Sequence, residues 1–224
     1  MAAASPSEVR FYFDYVSPYA YLASTRVRGV AARHGRRVAA VPVLFAAMLD
    51  ASGARGPAEI PPKRDYMHRD VVRLARELGV VIEPPATHPF NPLVALRATG
   101  CVDDLEARWR LVDAIYRAAW QRGERVEQPE TVARAAAEAG LDGAALLERA
   151  GGAEAKAALR EATDAAIAAG AFGVPTMIAD GELFWGVDAL PLLERLLGGE
   201  NVADAARMAR WRSVEPSAVR RAKG

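Results

Sequence analysis

The stretch from residue 9 to residue 45 constrains this chain most, because it reads as strand, helix, strand. Residues 9–14, Val-Arg-Phe-Tyr-Phe-Asp, are rich in β-forming side chains and predict a central strand. Ser17-Pro18 marks a helix start, with serine at the N-cap and proline at the first helical position. Leu22, Ala23, Val27, Val30 and Ala31 recur at helical spacing toward His34, and Gly35 supplies the stop. Residues 38–45, Val-Ala-Ala-Val-Pro-Val-Leu-Phe, form a second apolar run, and Pro42 argues for an edge position. A helix between two neighbouring strands makes them a parallel pair with a right-handed crossover.

Residues 46–62 are rich in Ala, Gly and Pro and read as an irregular loop. From 63 to 170 the pattern is almost entirely helical. One helix covers 63–78 and stops at Gly79. A second covers 102–122, with Leu105, Trp109, Val112, Tyr116 and Trp120 on one stripe. Gln128-Pro129 opens a third that ends at Gly140, Asp142 caps a short fourth, and a fifth runs from 153 to 169 before Gly170. Strands return at Thr176–Ala179 and Leu183–Trp185, flanking the hairpin signal Asp180-Gly181. Asp188 is read as the cap of a helix from Ala189 to Leu197. The order βαβ, helices, ββα predicts an α/β fold: a thioredoxin-like core (9–62 and 171–199) split by a large all-helical insertion (63–170). The insertion is expected to pack on the sheet and roof the Ser17 turn. Residues 1–8 read as a disordered lead-in. Residues 200–224 read as a basic tail with room for one helix, carrying Arg207, Arg210, Arg212, Arg220, Arg221 and Lys223.

Composition narrows the function. Of 224 residues, 51% are hydrophobic, enough for a substantial core. Twenty-nine basic and 28 acidic side chains give a net charge of +1, which argues against a nucleic-acid partner. No apolar run reaches the roughly 18 residues of a membrane helix. Met1-Ala2-Ala3-Ala4-Ser5-Pro6 lacks a signal pattern. The single cysteine, Cys101, excludes an intramolecular disulfide and a Cys-x-x-Cys redox centre, and favours a reducing cytoplasm. His34, His68 and His88 have no metal-ligand spacing, so no metal is expected.

Ser17 therefore stands at a helix start where a redox relative would carry a reactive cysteine. No histidine lies near it in sequence to act as a base, so it is a poor nucleophile. Its hydroxyl is better suited to stabilising a thiolate brought by a small molecule, because a helix N-terminus lowers a thiol pKa.

The segment from Phe11 to Ala23, with Phe172-Gly173-Val174-Pro175-Thr176-Met177 and Phe184-Trp185-Gly186-Val187-Asp188, resembles the 2-hydroxychromene-2-carboxylate isomerase family. It also resembles the kappa-class glutathione transferases; both belong to the DsbA-like branch of the thioredoxin superfamily. The likeness spans roughly 9–199 and includes Pro62-Lys63-Arg64-Asp65-Tyr66-Met67 and Ala119-Trp120-Gln121-Arg122-Gly123. The resemblance implies glutathione as cofactor, a small aromatic carboxylate as substrate, and a homodimer. By position it makes Ser17 the catalytic donor to the glutathione sulfur. It makes Val174 the residue before a cis Pro175, pairing through its backbone with the tripeptide. Trp185, Gly186, Val187 and Asp188 are then glutathione-binding candidates, the last two matching the pair at the γ-glutamyl end, and Lys63 matches a basic residue near the glutathione carboxylates. Three departures stand out. Ser52-Gly53-Ala54-Arg55 lacks the family's asparagine, Val187 offers only its backbone, and a substrate-loop lysine near position 49 is absent. Arg55 is then a candidate for a substrate carboxylate. His88 either lines the pocket or sits in a loop, and Trp120 is the candidate aromatic wall. The implied reaction is a glutathione-dependent isomerisation of an aromatic α-keto acid. A kappa-like transferase and a non-catalytic peptide binder are the alternatives.

Overall fold

The computed structural model describes residues 8–218. The readings of the lead-in before Glu8, and of Arg220, Arg221 and Lys223, lie outside the described residues. Among the described residues, four strands form one sheet in the order β2-β1-β3-β4. The strands β1 (Glu8–Phe13) and β2 (Arg37–Pro42) are parallel, with Val9 opposite Val38 and Phe13 opposite Pro42, and α1 (Pro18–Ala32) connects them. The antiparallel β3 (Thr176–Ala179) sets Met177 opposite Phe11 of β1, and β4 (Glu182–Trp185) completes the hairpin. Asp180 (φ 51°) and Gly181 (φ 85°) both take positive φ, as a primed hairpin turn requires. Pro42 is tolerated because β2 is an edge strand.

Between β2 and β3 come α2 (Phe45–Ser52), α3 (Pro61–Leu78), α4 (Leu93–Gly100), α5 (Leu105–Trp120), α6 (Pro129–Glu138), α7 (Gly143–Gly151) and α8 (Ala153–Ala168). After β4 a 3-10 turn (Val187–Ala189) leads into α9 (Leu190–Leu197), and α10 (Ala205–Arg212) lies in the basic tail.

The sheet is covered on both faces. Phe11 and Phe13 point into the main core with Trp109 and Tyr116, under α1 and α5. Tyr12, alternating to the other face, packs with Val43, Met48, Ala166 and Val174 under α2 and α8. Trp109, 1% exposed, stacks on Phe11 at 5.8 Å and donates its Nε1–H to Val38 O at 2.7 Å. The Arg28 guanidinium lies 4.7 Å over its ring. This residue joins the insertion to the edge strand.

Three readings need correction. Residues 46–62 are not an irregular loop: Phe45–Ser52 is α2, closed by Gly53, and Pro57–Glu59 forms a 3-10 turn. The second strand ends at Pro42, because Phe45 already belongs to α2. Asp188 does not cap the last helix. It sits inside the 3-10 turn, and Ala189 occupies the N-cap with no side-chain bond. The eight-residue α4 is an element the periodicity did not single out.

Candidate active site

The end of β1 turns into α1 through Asp14, Tyr15 and Val16, and each of these is fastened from elsewhere. Asp14 is 1% exposed. Its carboxylate accepts from Val16 N at 3.0 Å and from Phe45 N at 2.9 Å. Its carbonyl accepts from Ser17 N at 3.1 Å and from the Tyr116 hydroxyl at 3.2 Å. Tyr15 O accepts from Trp120 Nε1 at 2.8 Å, and the Tyr15 hydroxyl bonds Thr99 Oγ1 at 2.6 Å. Val16 O bonds His88 Nε2 at 2.9 Å. A carbonyl can only accept, so His88 carries its proton on Nε2 and leaves Nδ1 as an acceptor. Burial lowers the His88 pKa, against a smaller opposing effect of that bond, and favours the neutral ring.

Burial raises the Asp14 pKa from 3.8 to about 7, opposed by the two backbone donors. Between those values the folded chain keeps a proton that the unfolded chain has released. Stability assigned to Asp14 is therefore greatest below about pH 4 and is lost as pH rises to about 7. In denaturation across that range, the stability of wild type relative to Asp14→Asn should fall toward pH 7 and then stay level.

Ser17 is the N-cap of α1 and is 6% exposed. Its Oγ accepts from Ala20 N at 3.2 Å, and its hydroxyl reaches Val174 O at a long 3.4 Å. Tyr21 N is taken by Ser17 O, and Pro18 has no N–H, so Tyr19 N is the amide left unpaired in the first turn among the described residues. The serine cap uses one of the first-turn amides, that of Ala20.

Val174-Pro175 is a cis peptide bond. Val174 N has no hydrogen-bond partner among the described residues, while Pro175 O accepts from Gly186 N at 3.0 Å. The bond across Ser17 and Val174 joins positions 157 residues apart. Trp185 is 54% exposed and packs on Phe172 at 5.1 Å. Gly186 has φ 93° and ψ 160°, a region open essentially to glycine. A Cβ there would lie 2.4 Å from Asp188 Oδ1. Gly186→Ala should cost about 1–3 kcal/mol in chemical denaturation and displace the Asp188 carboxylate. Asp188 is exposed and makes no side-chain hydrogen bond among the described residues, whereas the Val187 side chain is buried.

The remaining candidates make no hydrogen bond to Ser17 or the Val174-Pro175 loop among the described residues. Lys63 is exposed in the first turn of α3 and has no ion pair among the described residues. Arg55 is exposed and engaged by Glu59, donating to its carbonyl at 3.1 Å with the carboxylate 3.9 Å away. Trp120 is 4% exposed, tied to Tyr15 and packed against His88 at 5.6 Å between ring centroids. It backs His88 from the core. Sequence reasoning passed over Asp14, Thr99 and Tyr116; the only local signal was an acid three residues before Ser17-Pro18. Among the described residues there is no group of metal-ligating side chains, and no helix is long and apolar enough to cross a membrane.

Known proteins share this fold. The DSBA-like thioredoxin domain matches residues 8–198. The 2-hydroxychromene-2-carboxylate isomerase of Sphingobium xenophagum is 33% identical, covering 84% of this chain and 97% of that protein. Glutathione S-transferase kappa 1 of Homo sapiens is 29% identical, covering 86% of this chain and 92% of that protein. A solved 2-hydroxychromene-2-carboxylate isomerase superposes with a TM-score of 0.78 at 27% identity, over 92% of this chain and 98% of that one. A serine-capped turn facing a cis-proline loop, on a fold these proteins match over most of its length, makes this chain a member of the DSBA-like thioredoxin family and, within it, of the 2-hydroxychromene-2-carboxylate isomerase family.

Proposed function

We propose that this protein is a glutathione-dependent isomerase acting on 2-hydroxychromene-2-carboxylate or a similar aromatic α-keto acid. The observation that carries the reading is the pairing of Ser17 with the Val174-Pro175 loop, each side keeping an unspent donor. The residues fit a tripeptide thiol. The Ser17 proton is held only by a long bond to Val174 O, and the amides of Tyr19 and Val174 are unpaired. The free Asp188 carboxylate suits an ammonium group. When bound, glutathione supplies a thiol that adds reversibly to a conjugated double bond and leaves unchanged.

In this reading Ser17 Oγ–H and Tyr19 N–H stabilise negative charge on sulfur, helped by the positive end of α1. Val174 N–H pairs with the peptide backbone and fixes the sulfur's height over the turn. Lys63 is free to meet a carboxylate, whereas Arg55 must leave Glu59 to do so. His88 Nδ1 is an acceptor at the edge of the same turn, suited to holding a substrate hydroxyl proton. We further propose a homodimer in a reducing cytoplasm, the latter consistent with a single thiol, Cys101, whose pKa burial raises.

Purified protein should isomerise 2-hydroxychromene-2-carboxylate only when glutathione is present, with the thiol concentration unchanged at the end. Loss of thiol in step with conjugation of a chloro-dinitroarene, without isomerisation, would instead support a kappa-like transferase.

A further inference from the structure

Away from the Ser17 turn, α4, α5, α8 and the end of β2 enclose a cavity of about 120 Å³. Its walls include Arg97, Arg108, Leu96, Ala158, Leu159 and Ala162, and none of its lining residues is Asp or Glu. Neither Ser17, Val174, Pro175 nor Asp188 borders it. Two arginines thus line a small, largely apolar space whose walls hold no carboxylate among the described residues.

Each arginine is placed differently. Arg108 is fastened to the frame, with Nε donating to Val102 O at 2.7 Å and Nη1 to Ala40 O at 3.1 Å. Asp103 acts on it from a distance and lies 3.9 Å from Arg149. Arg97 Nε is buried with no hydrogen-bond partner among the described residues. A buried N–H without an acceptor is costly, and two like charges in one cavity add to that cost. An anion removes both penalties, and the guanidinium fork matches a carboxylate in two parallel bonds.

We propose that this cavity is a second ligand site, built for a short-chain monocarboxylate held by Arg97 and Arg108. The volume sets the size: about four water-sized groups fit in such a space. The walls set the character. Leu96, Leu159 and the alanines of α8 favour a methyl or methylene tail, and would leave the outer oxygens of a phosphate against apolar surface. The site is independent of the glutathione reading.

The test is a nuclear magnetic resonance titration of the intact protein with sodium propionate and, separately, sodium phosphate, against chloride at matched ionic strength. Propionate should give saturable shifts confined to α4, α5, α8 and the end of β2. Arg97→Met should weaken binding about tenfold or more. Ala158→Leu, at an exposed helical position, should fill the mouth and abolish binding with the fold intact. Ser17→Ala should bind propionate as wild type does. The proposal is overturned by the absence of saturable shifts, by saturation with phosphate alone, by unchanged binding in Ala158→Leu, or by loss of binding in Ser17→Ala.

Discussion

Ser17→Ala is expected to slow glutathione-dependent turnover by about 10- to 150-fold, the equivalent of one hydrogen bond to a charged partner. The hydroxyl has two duties: its lone pair caps Ala20 N and its proton faces the Val174 loop. Removing the cap alone costs about 0.5–2 kcal/mol of stability. Ser17→Asp separates the two duties. An aspartate keeps a capping oxygen, while its buried carboxylate beside Val174 O costs some stability, so melting curves show how much of any rate loss comes from the fold. The aspartate offers no proton and sets a negative charge beside the sulfur, so turnover should fall at least as far as in the alanine variant. Steady-state rates read beside melting curves decide the matter. An aspartate variant with wild-type turnover would remove Ser17 from the chemistry.

Trp109→Ala should destabilise the fold by about 3–5 kcal/mol. The indole is 1% exposed, stacked on Phe11 and under Arg28, so its loss leaves a cavity between α5, α1 and the sheet. The Val38 carbonyl loses its indole donor as well. Trp109→Phe keeps most of the volume and should cost about 1–3 kcal/mol, mainly for that carbonyl. Urea denaturation should show a lower midpoint at an unchanged slope. A shift below about 1 kcal/mol in the alanine variant would mean that α5 is not anchored through this residue.

Elements with local signals were legible in the sequence. Ser17-Pro18 opens α1 as read, Asp142 caps α7 through Ala144 N and Ala145 N, and Asp180-Gly181 turns the hairpin. The helix α2 was not legible because its start is capped from afar. Its N-cap residue, Leu44, has no capping side chain. The amides of Leu44 and Phe45 are instead satisfied by Thr163 and Asp14, 119 and 31 residues away. No window of sequence contains that information. Asp188 misled for the opposite reason. Its type and position suit a cap, but Gly186 turns the backbone so that a 3-10 turn intervenes.

The site divides the same way. Ser17, Val174 and Pro175 belong to short motifs and could be named in advance. The fastening of the Ser17 turn by Asp14, Tyr116, Trp120 and His88 depends on burial and on partners far along the chain. Trp120 was a plausible pocket wall by residue type. A buried indole needs an acceptor, however, and Tyr15 O supplies one in the core. Arg55 was plausible by charge, yet Glu59 four residues on already engages it.

The most direct measurement is the ionisation of glutathione bound to the protein, followed by ultraviolet thiolate absorbance across pH. A free thiol titrates near pKa 8.5. In the wild-type complex the sulfur should titrate at least about one unit lower, and in Ser17→Ala its pKa should move back up. A bound thiol that titrates as it does in free solution, or no saturable binding at millimolar glutathione, would contradict the account.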